Sequence, residues 1–110
     1  MEIEVSYNGS YLIVGLSGEL DQHMADRIRG RIDYGLLKEG IKNMIFDFTE
    51  VSFMDSSGIG MLLKRYKQVK KLGGNLYITG CSQGLLRLVR LSGLEKIVVL
   101  KDTVEEALKE

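Results

Sequence analysis

An α/β domain, with helices packed against a mixed β-sheet, is the fold class this sequence predicts. Three observations carry it. Short β-rich runs alternate with stretches whose apolar residues recur at helical spacing. The first two runs are joined by Asn8-Gly9-Ser10, a hairpin turn in which Asn and Gly accept positive φ. Every later strand is separated from the next by a helix, giving the order β-β-α-β-α-β-α-β-α, and such crossovers join parallel neighbours.

The elements follow in order. "IEVSY" and "YLIVGL" form the hairpin. Asp21 precedes a helix in which Met24, Ile28, Ile32, Leu36 and Leu37 keep helical spacing, with Gly40 as its stop. "NMIFDF" is a buried strand. A second helix runs from Ser57, with Ile59, Leu62, Leu63, Tyr66 and Val69 as its apolar stripe. Lys64, Arg65, Lys67, Lys70 and Lys71 fall off that stripe as a solvated face, and Gly73-Gly74 end the helix. "NLYIT" is a strand, Ser82 caps a short helix holding Leu85 and Val89, "KIVVL" is the last strand, and Thr103 caps a closing helix. The whole is one domain over residues 1–110, with an N-terminal hairpin and about four helices on a mixed sheet.

Composition narrows the function classes. Fifteen basic residues balance fifteen acidic ones, so no net field steers the chain to nucleic acid or an anionic membrane. No apolar run approaches the roughly 20 residues of a membrane span. The single cysteine, Cys81, can form neither an internal disulfide nor a Cys-based zinc site. Without a signal-peptide pattern at its start, the chain is expected in the cytoplasm.

Parallel strands carry recognition loops beyond their C-terminal ends. Here those loops are "GELDQH", "MDSSGIG" and "TGCSQG", so Asp21, Ser56 and Ser82 are expected on one face. "GCSQG" matches the Gly-x-Ser-x-Gly nucleophile pattern, but a triad needs a later histidine, and the only one, His23, lies upstream. Ser82 is therefore read as a helix cap. Gly58-x-Gly60 begins a dinucleotide fingerprint whose third glycine is replaced by Leu63, and no Walker lysine motif occurs. No cofactor is expected, and no ligand set for a metal is suitably spaced.

The Asp55-Ser56-Ser57 junction is richer than one helix cap requires. A helix N-terminus favours Asp and Ser for structural reasons alone. Two hydroxyls, two first-turn glycines at Gly58 and Gly60, and the apolar Ile59 and Met61 add what a docking partner could use. Phosphate on Ser56 would add a charge of about −1.5 to −2 that a helix start tolerates and a partner fitted to the bare loop does not.

"GELDQHMADRIRGRI", "VSFMDSSGIGMLLKRYKQVKKLGGNLYI" and "LLRLVRLSGLEKIV" resemble the STAS-domain anti-sigma-factor antagonists of spore-forming bacteria over essentially the whole chain. Lys64 stands where a glycine is expected from the resemblance. The resemblance implies a non-enzymatic switch. The bare protein binds a GHKL-type serine kinase, with ADP or ATP bound, that is also an anti-sigma factor, and so releases a sporulation sigma factor. The kinase phosphorylates the serine after the aspartate, here Ser56, and a PP2C-type phosphatase reverses this. Asp21 corresponds to an acidic docking residue whose complement is an arginine, and Asp55, Ser57, Gly58, Ile59 and Gly60 belong to the same docking face. A general-stress or stressosome-type STAS module acting on another kinase and sigma factor is the alternative reading. An esterase using Ser82 is a third, and direct nucleotide binding has no phosphate loop to support it.

Overall fold

The computed structural model describes residues 2–110. Its elements are β1 (Glu2–Asn8), β2 (Tyr11–Leu20), α1 (Gln22–Leu36), β3 (Asn43–Met54), α2 (Ser56–Lys71), β4 (Leu76–Thr79), α3 (Gln83–Leu91), a 3-10 turn (Leu94–Lys96), β5 (Val99–Lys101) and α4 (Val104–Leu108). The five strands lie in chain order, β1 antiparallel to β2 and each later neighbour parallel. The expected mixed sheet with its N-terminal hairpin is what forms, and Gly9 turns the hairpin at φ 57°.

The two faces of the sheet are covered unequally. Strict alternation along β2 sends Leu12, Val14 and Leu16 to the main core, beneath Ile28 and Ile32 of α1, Leu62 of α2 and Leu85 of α3. On the opposite face Ile45, Tyr77 and Ala107 form a small buried cluster, with Val104 and Leu108 of α4 packed against it. Ser82 and Thr103 cap α3 and α4 as expected, through bonds from the Leu85 and Glu106 amides.

Four local expectations are corrected. β3 continues six residues past "NMIFDF" to Met54. It is a buried strand at its start and a half-solvated ribbon later, and that change of period hides it in the sequence. α1 ends at Leu36, short of Gly40, leaving Leu37 81% exposed rather than in the stripe. β5 is Val99–Lys101, because Leu94–Lys96 close a 3-10 turn first. The fourth correction concerns α2, whose buried face is Gly58, Met61, Leu62, Arg65 and Val69.

That face is rotated from the expected one. Leu63 stands 39% exposed, while Arg65, expected in solvent, is 2% exposed and the largest of the fully buried side chains. The cause is a tie between helices. Arg65 of α2 donates from its Nη1 to Asp33 Oδ1 of α1 at 3.1 Å and also to Gln68 Oε1. Its Nε is buried without a partner among the described residues. Burial lowers the guanidinium pKa and the neighbouring Asp33 raises it again, but an arginine stays charged throughout the working range. The four lysines of α2 do face solvent.

Removing only the counter-charge is therefore worse than removing the charge itself. Asp33→Ala is expected to cost about 1–3 kcal/mol by leaving a buried guanidinium half-satisfied. Arg65→Met, an apolar replacement of similar length, is expected within about 1.5 kcal/mol of the parent. Urea unfolding midpoints at unchanged slope measure both. The reverse order would show that the tie is held by packing alone.

Candidate functional site

β2 and β3 stop at the same level, with Leu20 opposite Met54. The next residue in each chain segment is an aspartate, and the Asp55 amide donates to the Leu20 carbonyl at 3.3 Å. Both aspartates cap helices. Asp21 Oδ1 accepts from the Met24 amide at 3.0 Å, and Asp55 Oδ1 accepts from the Ser57 amide at 2.9 Å. Two helix N-termini and two half-buried carboxylates thus meet at one end of the molecule. Each carboxylate puts one oxygen into its cap, and the other takes no hydrogen bond among the described residues.

Ser56 is the first residue of α2, exposed, and its hydroxyl has no hydrogen-bond partner among the described residues. Ser57, expected to begin the helix or cap it, lies within the first turn, because Asp55 takes the cap. It is half-buried and lines a cleft of about 260 Å³ between α1 and α2, together with Gln22, Arg29, Gly60 and Lys64. Ile59 is half-buried at the margin of the main core.

The two glycines do different things. Gly58, expected on the docking face, is buried: a Cβ there would collide with Met54 and come within 3.0 Å of Leu20 Cγ. It lets α2 start flush on the strand ends, and it does not offer a surface. Gly60 is exposed, with nothing within 4 Å of a Cβ built on it. Sequence reasoning missed Phe53, which is 48% exposed beside these residues and opposite Glu19 in the strand register. An irregularity between Gly18 and Glu19 turns it outward, and a bulge of that kind has no signature in a single sequence.

Ser82 does not join this site. β4 ends opposite Asp47, and Gly80 packs against Thr49, so β2 and β3 run on past the Ser82 loop by up to about 20 Å of strand. The Ser82 hydroxyl accepts from the Leu85 amide at 3.3 Å, as a cap does. Beside it, burial pushes the Cys81 thiol up to about 11, away from thiolate chemistry. His23 sits exposed in the first turn of α1, remote from Ser82. Among the described residues no cluster of His, Cys, Asp or Glu is placed to hold a metal, and no helix is long and apolar enough to cross a membrane.

A model of the STAS domain matches residues 2–107. The chain belongs to the STAS-domain family. It is 36% identical to the anti-sigma F factor antagonist of Paenibacillus polymyxa, over 100% of this chain and 94% of that one. It is 33% identical to the anti-sigma-B factor antagonist of Bacillus subtilis, over 89% and 88% of the two chains. The structure of the Bacillus cell fate determinant SpoIIAA in its phosphorylated form superposes with a TM-score of 0.77 at 28% identity, covering 98% and 97% of the two chains. The STAS fold here is the expected one, and the family match leaves no role for an esterase built on Ser82.

The glycines give a paired test. Gly58→Ala is expected to destabilise by about 1–3 kcal/mol through overpacking against Met54, whereas Gly60→Ala is expected to stabilise α2 by up to about 1 kcal/mol. Thermal melts of the two variants check the contrast. The raised Cys81 pKa gives a second expectation. The folded thiol holds its proton above the usual value of 9.0, so between about 9 and about 11 the folded state binds more protons than the unfolded one. Stability falls across that window as pH rises. Cys81→Ala should flatten that slope in pH-dependent unfolding, and thiol labelling of the folded parent should stay slow until the same window.

Proposed function

We propose that this STAS domain is an anti-sigma factor antagonist whose binding end is the paired strand tip, switched off by phosphate on Ser56. Its work is regulatory binding and involves no catalysis of its own. The observation that carries the reading is Ser56 itself. The fold puts the cap on Asp55 and leaves the adjacent hydroxyl exposed and uncommitted. A modifying enzyme can reach it without breaking a hydrogen bond that holds the domain together.

Electrostatics supports the same reading. The bare tip presents Asp21 and Asp55, and an arginine on the partner complements them. Phosphate adds about −1.5 to −2 to that end. The two helix N-termini absorb part of it, so the domain keeps its shape. A partner seated on the bare tip meets added charge and bulk, and each 1.4 kcal/mol of mismatch is tenfold in affinity. That SpoIIAA has a phosphorylated form with this fold accords with a modification the fold tolerates. The partner on this reading is an anti-sigma factor of the GHKL serine-kinase type, with nucleotide bound, and a PP2C-type phosphatase restores the bare form. The sigma factor is the sporulation one. The anti-sigma-B relative supports a second reading, a general-stress antagonist with the same switch and a different kinase.

Mass spectrometry after incubation with candidate kinases and ATP tests the switch. One phosphate on Ser56 is expected, absent from Ser56→Ala and retained in Ser57→Ala. Modification of Ser57 or Ser82 in its place would overturn the site. Calorimetry should show phosphorylated protein binding at least tenfold more weakly than bare protein, with Asp21→Asn intermediate. Running sporulation and general-stress kinases in parallel separates the two readings by which one binds.

A further inference from the structure

We infer that the partner's footprint continues from the tip onto the uncovered face of the sheet, with Phe53 as its apolar anchor, and that the partner meets it with an apolar pocket rimmed by arginine or lysine. This rests on the reading of the tip as the binding end, and adds where the partner lies and what it must carry.

The sheet is fully covered on one side only. Parallel strands are ordinarily buried on both faces. Here α1, α2 and α3 lie over one face, and on the other α4 packs against the cluster of Ile45 and Tyr77. Toward the tip that second face turns polar and open. Glu2 and Glu4 stand opposite Ser17 and Gly15, Gly15 stands opposite Asp47, and with Glu50 these residues line a hollow of about 190 Å³. Asp47 is held there by Thr49 and Thr79, whose hydroxyls donate to its Oδ1 at 2.6 and 3.2 Å.

Phe53 closes the same face at its tip end. Leu20 and Met54 point into the main core, so the preceding pair, Glu19 and Phe53, points the other way. Gly18, at φ 95°, permits the irregularity that sets this pair in register. The Phe53 ring is 48% exposed, on a residue three positions before Ser56. The other exposed large apolar side chains belong to α1, α2, α3 and their caps, or to Tyr7 at the far end of β1. An aromatic set in a polar surface beside a binding end has the make-up of an interface anchor.

Charge defines the occupant. Residues 1–26 and 43–63 supply β1 to β3, the two loops of the tip and the first turns of α1 and α2. They contain eight carboxylates and neither lysine nor arginine. Glu2, Glu4, Glu19 and Glu50 have no ion pair among the described residues. The cations that make the chain neutral lie elsewhere, and α2 alone carries five of them and no acid. Arg31 reaches β1 from the α1 side, at the Ile3 carbonyl. A basic rim around an apolar pocket therefore complements this face, and such a rim also speeds encounter in a salt-dependent way.

Calorimetry and stopped-flow association with the ADP-loaded sporulation and general-stress anti-sigma kinases test the footprint. Phe53→Ala is expected to weaken binding at least tenfold, Phe53→Leu far less, and Phe53→Lys most of all. Glu50→Lys should slow association and flatten its salt dependence, while Leu91→Ala on α3 should change nothing. Thermal melts are expected to stay near the parent's, since Phe53 and Glu50 stand outside the core. Binding unchanged by Phe53→Ala and Glu50→Lys, with Asp21→Asn weaker, would confine the footprint to the tip and overturn the inference while the reading of the tip stands. Weakening by Phe53→Ala without response to Asp21→Asn or to phosphate on Ser56 would keep this face and overturn that reading instead. A parent that binds neither kinase would overturn both. Sedimentation of the chain alone tests the remaining occupant: self-association lost in Phe53→Ala would give the face to a second copy and overturn the partner proposed.

Discussion

The parallel pairing of β2 with β3, carried to a common end at Leu20 and Met54, is the constraint on which the rest depends. These are the longest strands of the sheet, at ten and twelve residues, and they outrun β4 and β5. Because both crossovers pass over the same face, each strand hands over to a helix at the same height. Two N-termini, two capping carboxylates and the exposed hydroxyl of Ser56 are then brought together by backbone pairing alone. The irregularities between Gly15 and Ser17 and between Gly18 and Glu19 are part of this device. Over the same span β3 uses more residues than β2, and the surplus turns Phe53 toward solvent beside the tip.

How much of this was legible follows from what a sequence encodes locally. The hairpin at Asn8-Gly9, the alternation of strand and helix, and the caps at Ser82 and Thr103 each rest on residues within a few positions of one another. All were readable. The level at which strands end was not, because it depends on register across the sheet. Asp21 and Asp55 come together, whereas Ser82, placed after a strand in the same manner, is left behind by the short β4. The face of α2 failed for a related reason. A charged side chain reads as solvated until a partner on another element is known, and Arg65 is buried because Asp33 of α1 waits for it.

Gly58 and Gly60 show the same limit at the scale of two residues. Both look alike as poor helix formers in a first turn. Only the packing tells that one is demanded by Met54 and Leu20 while the other faces open space. The close approach that a glycine signals was legible. Whether it served the core or a partner was a question of direction, and direction comes from tertiary contacts.

These placements also decide what kind of switch the tip can be. A modified residue can act by moving the backbone or by changing the surface. At the start of α2 the backbone is held from three sides: the Asp55 cap on the Ser57 amide, the Asp55 amide on the Leu20 carbonyl, and Gly58 seated against Met54. Inward movement of the first turn is opposed by packing, and outward movement by loss of the cap. Ser56 is the exposed hydroxyl of this turn, and its side chain enters none of those restraints. A charge placed on it has little leverage on the fold and full expression in the solvent, where a partner would approach. Of the residues around it, the ones that anchor the helix are also the ones that leave the hydroxyl outside the anchorage, so rigidity of the domain and responsiveness of its surface come from the same few contacts.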